Sequence, residues 1–125
     1  MDMSVLNFTI PIPPRTKKNS QRIVLVKGRP IIMPSKAYKD FEKDCKPFIP
    51  SLSLPIDFPV NVKCLYFMPT RRKCDLNNLL EATTDILVHY GVLLDDNYSI
   101  CFSHDGSRVA YDKDFPRTEI FISRV

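Results

Sequence analysis

Between Leu76 and Tyr90 the spacing of apolar residues admits one regular structure, and that structure constrains the rest of the chain. Leu76, Leu79, Leu80, Thr83, Ile86, Leu87 and Tyr90 fall on one side of a helix, with Asn77, Asn78, Glu81, Asp85 and His89 on the other. Asp75 stands at the entrance, where a carboxylate can cap the first turn and meet the positive end of the helix dipole. Gly91 is well placed as the C′ residue that ends the run. A helix with one apolar face must lie on something, so the flanking segments have to supply a second layer.

Those segments read mostly as strands. Val5 to Ile12 alternates Leu6, Phe8 and Ile10 with Asn7 and Thr9, and Pro11, Pro13 and Pro14 close it. Arg22 to Val26 and Pro30 to Met33 are short β-branched runs around Lys27-Gly28-Arg29, a hairpin signal. Ser35 is placed to cap a helix whose buried face is Tyr38, Phe41 and Cys45, and Pro47 should end it. Ser51 to Pro59 holds Pro55 and Pro59 and reads as a loop too short to separate two domains. Val60 to Phe67 alternates as a strand up to Pro69. Ser99 to Ser103 and Thr118 to Ile122 are the final strands, with an Asp105-Gly106 turn between them. The order β-β-β-α-β-α-β-β describes a single α+β domain with a mixed sheet and two main helices.

At 125 residues, with 44% hydrophobic and 26% charged residues, the chain can bury one core. No apolar run approaches the roughly 20 residues of a membrane helix, and the N-terminus lacks the marks of a secretion signal, so the expected compartment is the cytoplasm. Cys45, Cys64, Cys74 and Cys101 form no C-x-x-C pair and have no histidine at ligand spacing, which argues for reduced, mostly buried thiols rather than zinc.

Charge is distributed in blocks. Arg15 to Lys39 holds eight Lys or Arg residues and no acid, and Lys63 to Lys73 holds four more, again with no acid. Asp75 to Asp114 holds eight acids against Arg108 and Lys113. Any one such run is commonly a solvated face, but together they suggest a polyanion-binding surface around a cation-binding centre. The polar face of the helix sharpens this. A solvated face usually mixes signs, yet no Lys or Arg occurs from Leu76 to Tyr90. Glu81 stacked over Asp85 costs about a few tenths of a kcal/mol without a counter-ion. Asp95-Asp96 adds two carboxylates just beyond the helix, and hard cations such as Mg²⁺ take such oxygen ligands.

The run Arg71-Arg72-Lys73-Cys74-Asp75-Leu76-Asn77-Asn78-Leu79-Leu80-Glu81-Ala82, then Asp85-Ile86-Leu87 and Gly91-Val92-Leu93-Leu94-Asp95-Asp96, resembles the RusA-type Holliday junction resolvases. These are small endodeoxyribonucleases often carried by phages and prophages. Pro11-Ile12-Pro13-Pro14 and the Tyr38 helix also look like landmarks of that family, although only Arg71 to Asp96 is specific. The resemblance implies a homodimer that binds four-way DNA junctions and places paired symmetric nicks by Mg²⁺-dependent hydrolysis, with Mn²⁺ able to substitute and no organic cofactor. It makes Asp75 the first catalytic acid and Asp96 the last. Two positions depart from the pattern: the usual second Asp is Asn77, and a helix Lys carried by many members is Glu81. The count of carboxylates is thus kept if Glu81 replaces the missing acid, giving Asp75, Glu81 and Asp96 as catalytic residues. Asn77 would then be either a neutral oxygen ligand to the metal or a group supporting the ligands from behind, as Asn78, Asp85 and Asp95 would.

Lys17, Lys18, Asn19 and Arg22, with Arg71, Arg72 and Lys73, are the candidates for phosphate contacts, the last three the better because only Cys74 separates them from Asp75. Tyr66, Phe67 and Phe102 could stack on bases, but their strand positions favour packing. His89 reads as a surface histidine, and His104 has no partner that the sequence identifies. Three alternatives stay open: a nuclease for flaps or forks, a non-catalytic branched-DNA-binding dimer in which Asn77 and Glu81 record lost activity, and, last, a protein-interaction domain.

Overall fold

The computed structural model describes residues 3–17 and 21–125, with the backbone only at residues 21, 22 and 34. Three long strands form the larger part of the sheet, the first of them at one edge. β1 (Ser4–Ile10), β4 (Val60–Met68) and β7 (Arg117–Arg124) lie in the order β1-β7-β4, antiparallel at both contacts. β4 turns its even-numbered side chains inward: Val60, Val62 and Cys64 are fully buried and Tyr66 nearly so. On the far edge of β4 two short strands lie end to end, both parallel to it. β5 (Cys101–Ser103) pairs near Val60, and β6 (Arg108–Tyr111) pairs with Leu65–Met68. The sheet is therefore mixed, as the sequence suggests.

β6 is the element that the sequence reading lacks. All four of its residues are exposed, so no burial alternation marks it, and the Asp105-Gly106 turn leads into β6 rather than directly to the last strand. Asn61 holds that turn from β4: its Oδ1 accepts from Asp105 N at 2.7 Å and from Ser103 Oγ at 2.6 Å.

Two helices share one core with this sheet. α1 (Lys36–Cys45) begins at Ser35, whose hydroxyl accepts from Tyr38 N at 3.2 Å, and a 3₁₀ turn over Lys46–Phe48 containing Pro47 ends it. α2 (Leu76–His89) buries Leu79, Leu80, Ala82, Thr83, Thr84, Ile86 and Leu87, a wider face than the apolar residues alone. The threonines enter the core because each satisfies its hydroxyl within the helix, Thr83 on Leu79 O at 2.9 Å and Thr84 on Leu80 O at 2.7 Å. Since Thr83 donates there, the 2.7 Å contact with Tyr66 Oη makes the tyrosine the donor, and it ties α2 to β4. Buried Leu79, Ile86 and Leu87 each contribute about 1.5–3 kcal/mol relative to an exposed side chain.

β2 (Gln21–Val26) and β3 (Arg29–Pro34) form a separate two-stranded hairpin. Lys27 and Gly28 make its turn, both with positive φ (52° and 77°), as a two-residue hairpin connection of the mirror-image type requires. Among the described residues no helix is long and apolar enough to cross a membrane.

Candidate active site

The entrance to α2 is set by Asp75. Its backbone is extended, and its Oδ1 accepts from Asn77 N at 2.9 Å, so one carboxylate oxygen satisfies a helix donor that has no partner in the helix. Asp75 and Asn77 are exposed, as are Arg71, Arg72, Lys73 and Cys74 just before them. Arg71 lies over the Tyr111 ring, 4.2 Å from its centroid, which anchors the basic turn to β6.

The exit from α2 positions the acid pair. Gly91, at φ 77°, allows a Schellman ending: Val92 N donates to Leu87 O at 2.8 Å and Gly91 N to Val88 O at 3.1 Å. Ile56, buried in the proline-rich loop, then clamps the returning chain, donating to Val92 O at 2.9 Å and accepting from Leu94 N at 3.0 Å. Asp95 and Asp96 follow that clamp directly. Both are exposed, and Asp96 N donates to Asp95 Oδ1 at 2.6 Å.

Electrostatics link this turn to the helix. Asp95 stays ionised below the usual carboxylate range because the Asp96 backbone and then its side chain hydrogen-bond to it. Asp96 moves the other way: its protonated side chain hydrogen-bonds to Asp95, and burial and the charges of Asp95 and Asp85 add to the rise. Asp85 of α2 therefore acts on Asp96. It also acts, with Glu81, on the Tyr38 hydroxyl, which burial above all holds in its neutral form.

Along the chain, the residues singled out in the sequence fall into two stretches. Asp85 lies in the last turns of α2, and Asp95 and Asp96 in the turn beyond it. Asp75, Asn77 and the exposed basic turn lie at the near end, with exposed Glu81 one turn along and half-buried Asn78 beside it. Among the described residues no three His, Cys, Asp or Glu side chains already converge as a metal site. The donor chemistry still suits a hard divalent cation, since Asp75, Glu81, Asp95 and Asp96 are exposed carboxylates. Lys17 does not stand alone on the surface: its Nζ pairs with Asp85 Oδ2 at 2.6 Å. Lys18 and Asn19 lie outside the described residues, and of Arg22 only the backbone is described, in β2.

Several contacts had no signal in the sequence. His104 bridges Val62 O (2.8 Å from Nδ1) and Cys101 Sγ (3.5 Å from Nε2), which makes it a structural residue. His89 faces Glu42 of α1 at 3.7 Å. Tyr66 is core, and Phe67 is covered by the Arg117 guanidinium at 3.8 Å, but Phe102 is 57% exposed on β5. Cys45 and Cys64 are buried, Cys101 is half-buried and Cys74 is exposed, so the expectation of mostly buried thiols holds for two of four.

A basic turn feeds an acid-lined helix and a second acid pair follows it, on a mixed-sheet scaffold, an arrangement of exposed cations and carboxylates suited to chemistry on a polyanion. The comparison with protein families makes this particular. The chain belongs to the RusA endodeoxyribonuclease family, whose model, endodeoxyribonuclease RusA, matches residues 11–123 of its 125. It is an endodeoxyribonuclease of the Holliday junction resolvase kind. No curated protein matches it.

Proposed function

We propose that the chain, acting over residues 1–125 as one nuclease domain and as a homodimer, resolves four-way DNA junctions by paired symmetric nicks that depend on Mg²⁺, in recombination and repair within the bacterial cytoplasm. The observation that carries this reading is a helix capped by the Asp75 carboxylate beside an exposed basic turn, with the exposed Asp95–Asp96 pair following the clamp at its other end. Asp75, Glu81 and Asp96 are the acids that would hold the metal, with Asn77 as a neutral oxygen ligand. Asn78, Asp85 and Asp95 orient them. Mg²⁺, or Mn²⁺ in its place, would lower the pKa of the attacking water and neutralise charge on the phosphate.

The protein's own residues do the rest. The acids repel DNA on their own, and Arg71, Arg72 and Lys73, with Lys18, Asn19 and Arg22, offset that repulsion through phosphate contacts. Each phosphate neutralised by one of these Lys or Arg residues adds about −0.9 to the log–log salt slope of duplex binding. Selection of the junction then rests on the spacing of two active sites in the dimer rather than on base readout.

The test is a synthetic four-way junction incubated with the protein in Mg²⁺ or EDTA, with Asp96→Asn as control. Symmetric nicks in Mg²⁺ alone, lost in the variant, are expected. The second reading, a branched-DNA-binding dimer without catalysis, is favoured by Asn77 and Glu81 in place of the family's acid and lysine. It expects junction binding and intact DNA under both conditions. Cleavage of splayed or linear duplexes as fast as junctions would instead show a less selective nuclease.

A further inference from the structure

α2 has no cation of its own from Leu76 to Tyr90, and a side chain from outside the helix supplies one. Lys17 belongs to the N-terminal segment that leaves β1, and it reaches across 68 positions of sequence to Asp85, Nζ to Oδ2 at 2.6 Å. Its ammonium also stands 5.6 Å from the centroid of the Tyr38 ring. Two contacts from two different helices therefore fix this side chain. It is 35% exposed and Asp85 31%, so the pair is neither a free surface charge nor a buried one.

The surroundings decide what the pair does. Asp85 stands one helical turn beyond Glu81 on the polar face of α2, and the Tyr38 ring of α1 lies on the other side of the Lys17 ammonium. An ordinary surface ion pair contributes about 0–1 kcal/mol and leaves chemistry untouched. This one lies on the helix face that carries Glu81, the face read as the catalytic centre. With Lys17 in place, Asp85 keeps one orientation, and its charge weighs less on Glu81 and on an approaching phosphate.

We propose that Lys17 is a positioning residue of the nuclease site: a cation brought in from the N-terminal segment that acts through Asp85 to hold the acidic face of α2 ready for the phosphate. The proposal rests on the reading of that face as the catalytic centre.

Its test is single-turnover and steady-state cleavage of a synthetic four-way junction in Mg²⁺ by the wild type, Lys17→Ala, Lys17→Arg, Asp85→Asn and the double variant Lys17→Ala/Asp85→Asn. Junction affinity and its salt slope are measured alongside in EDTA. Lys17→Ala is expected to lower kcat about 10–100-fold, the range for residues that orient a ligand, with little change in KM. Lys17→Arg should restore most of that loss. Asp85→Asn should lose a similar factor, and the double variant should be no worse than the poorer single one. The salt slope should stay at its wild-type value. A wild-type kcat in Lys17→Ala would overturn the proposal in favour of a simple tether. An intact kcat with the slope weakened by about 0.9 would overturn it in favour of a phosphate contact. A wild type that leaves the junction uncut would instead remove the catalytic reading itself, and the proposal with it.

Discussion

The β2–β3 hairpin and the β4–α2 layer draw on the same kinds of side chain and reach opposite states. In the hairpin Ile23 is 73% exposed, Leu25 71% and Ile32 67%; in β4 Val60, Val62 and Cys64 are completely buried. Ile23 and Ile32 are direct cross-strand partners, and Leu25 faces Pro30 two residues on, so the exposed residues form one continuous face of the ribbon. β4 has strands on both edges and shares a core with α2, whereas the hairpin strands pair only with each other. Apolar alternation specifies a strand. It does not specify what covers the strand, which is decided by segments far away in sequence.

The largest expected effect separates the two regions by pH. Burial pushes the Cys45 and Cys64 thiols up to about 12 from an ordinary 9.0, and raises the Tyr38 and Tyr66 hydroxyls as well. Groups raised in the folded state stabilise it fully below their unfolded values and lose that contribution as pH climbs to the folded ones. Unfolding followed by circular dichroism should therefore begin above pH ~9 and be complete near 12, given thiol values of 9.0 and about 12. The hairpin strands contain no Cys or Tyr and cannot cause it. At neutral pH a thiol reagent should label exposed Cys74 and leave Cys45 and Cys64 until the protein unfolds; equal labelling of all three would break the contrast.

Next in size is truncation. Leu87 is fully buried, and Leu87→Ala should cost about 2–5 kcal/mol in urea unfolding. Ile23→Ala in the hairpin should cost under about 0.5 kcal/mol. A similar cost at both positions would mean that Ile23 is covered in solution. Smaller again is Tyr66→Phe, which removes a hydroxyl that donates to Thr83 but leaves the Thr83 bond to Leu79 O intact. About 0.5–1.5 kcal/mol is expected, with the fold unchanged.

The same distinction explains how much could be read in advance. β1, β4, β7 and the limits of α2 were legible because burial alternates along them and because Asp75 and Gly91 end the helix by local chemistry. β6 was not, since it is short, exposed throughout and held only by pairing with β4. At the site, the cap at Asp75 and the Asp95–Asp96 turn were readable from neighbours in sequence. Their placement was not. It depends on Ile56 clamping Val92 and Leu94, and on Lys17 reaching Asp85, contacts that leave no periodic trace.

Asp75→Asn gives the smallest expected effect on stability and the sharpest separation of scaffold from site. Asparagine caps a helix about as well as aspartate, so the bond from Asn77 N survives and only the charge at the helix entrance is lost. That charge is worth about 0.3–1 kcal/mol next to the dipole, and urea unfolding should shift by no more than this. Mg²⁺-dependent cleavage should nevertheless be abolished, because a neutral amide is a poor substitute for a carboxylate on a hard cation. Glu81→Gln, in the middle of the exposed face, should follow Asp75→Asn in activity if Glu81 carries the acid that Asn77 lacks. If Glu81→Gln cut junctions at the wild-type rate while Asp75→Asn did not, Glu81 would be one more solvated acid on the face of α2, and the metal would have to be held without it.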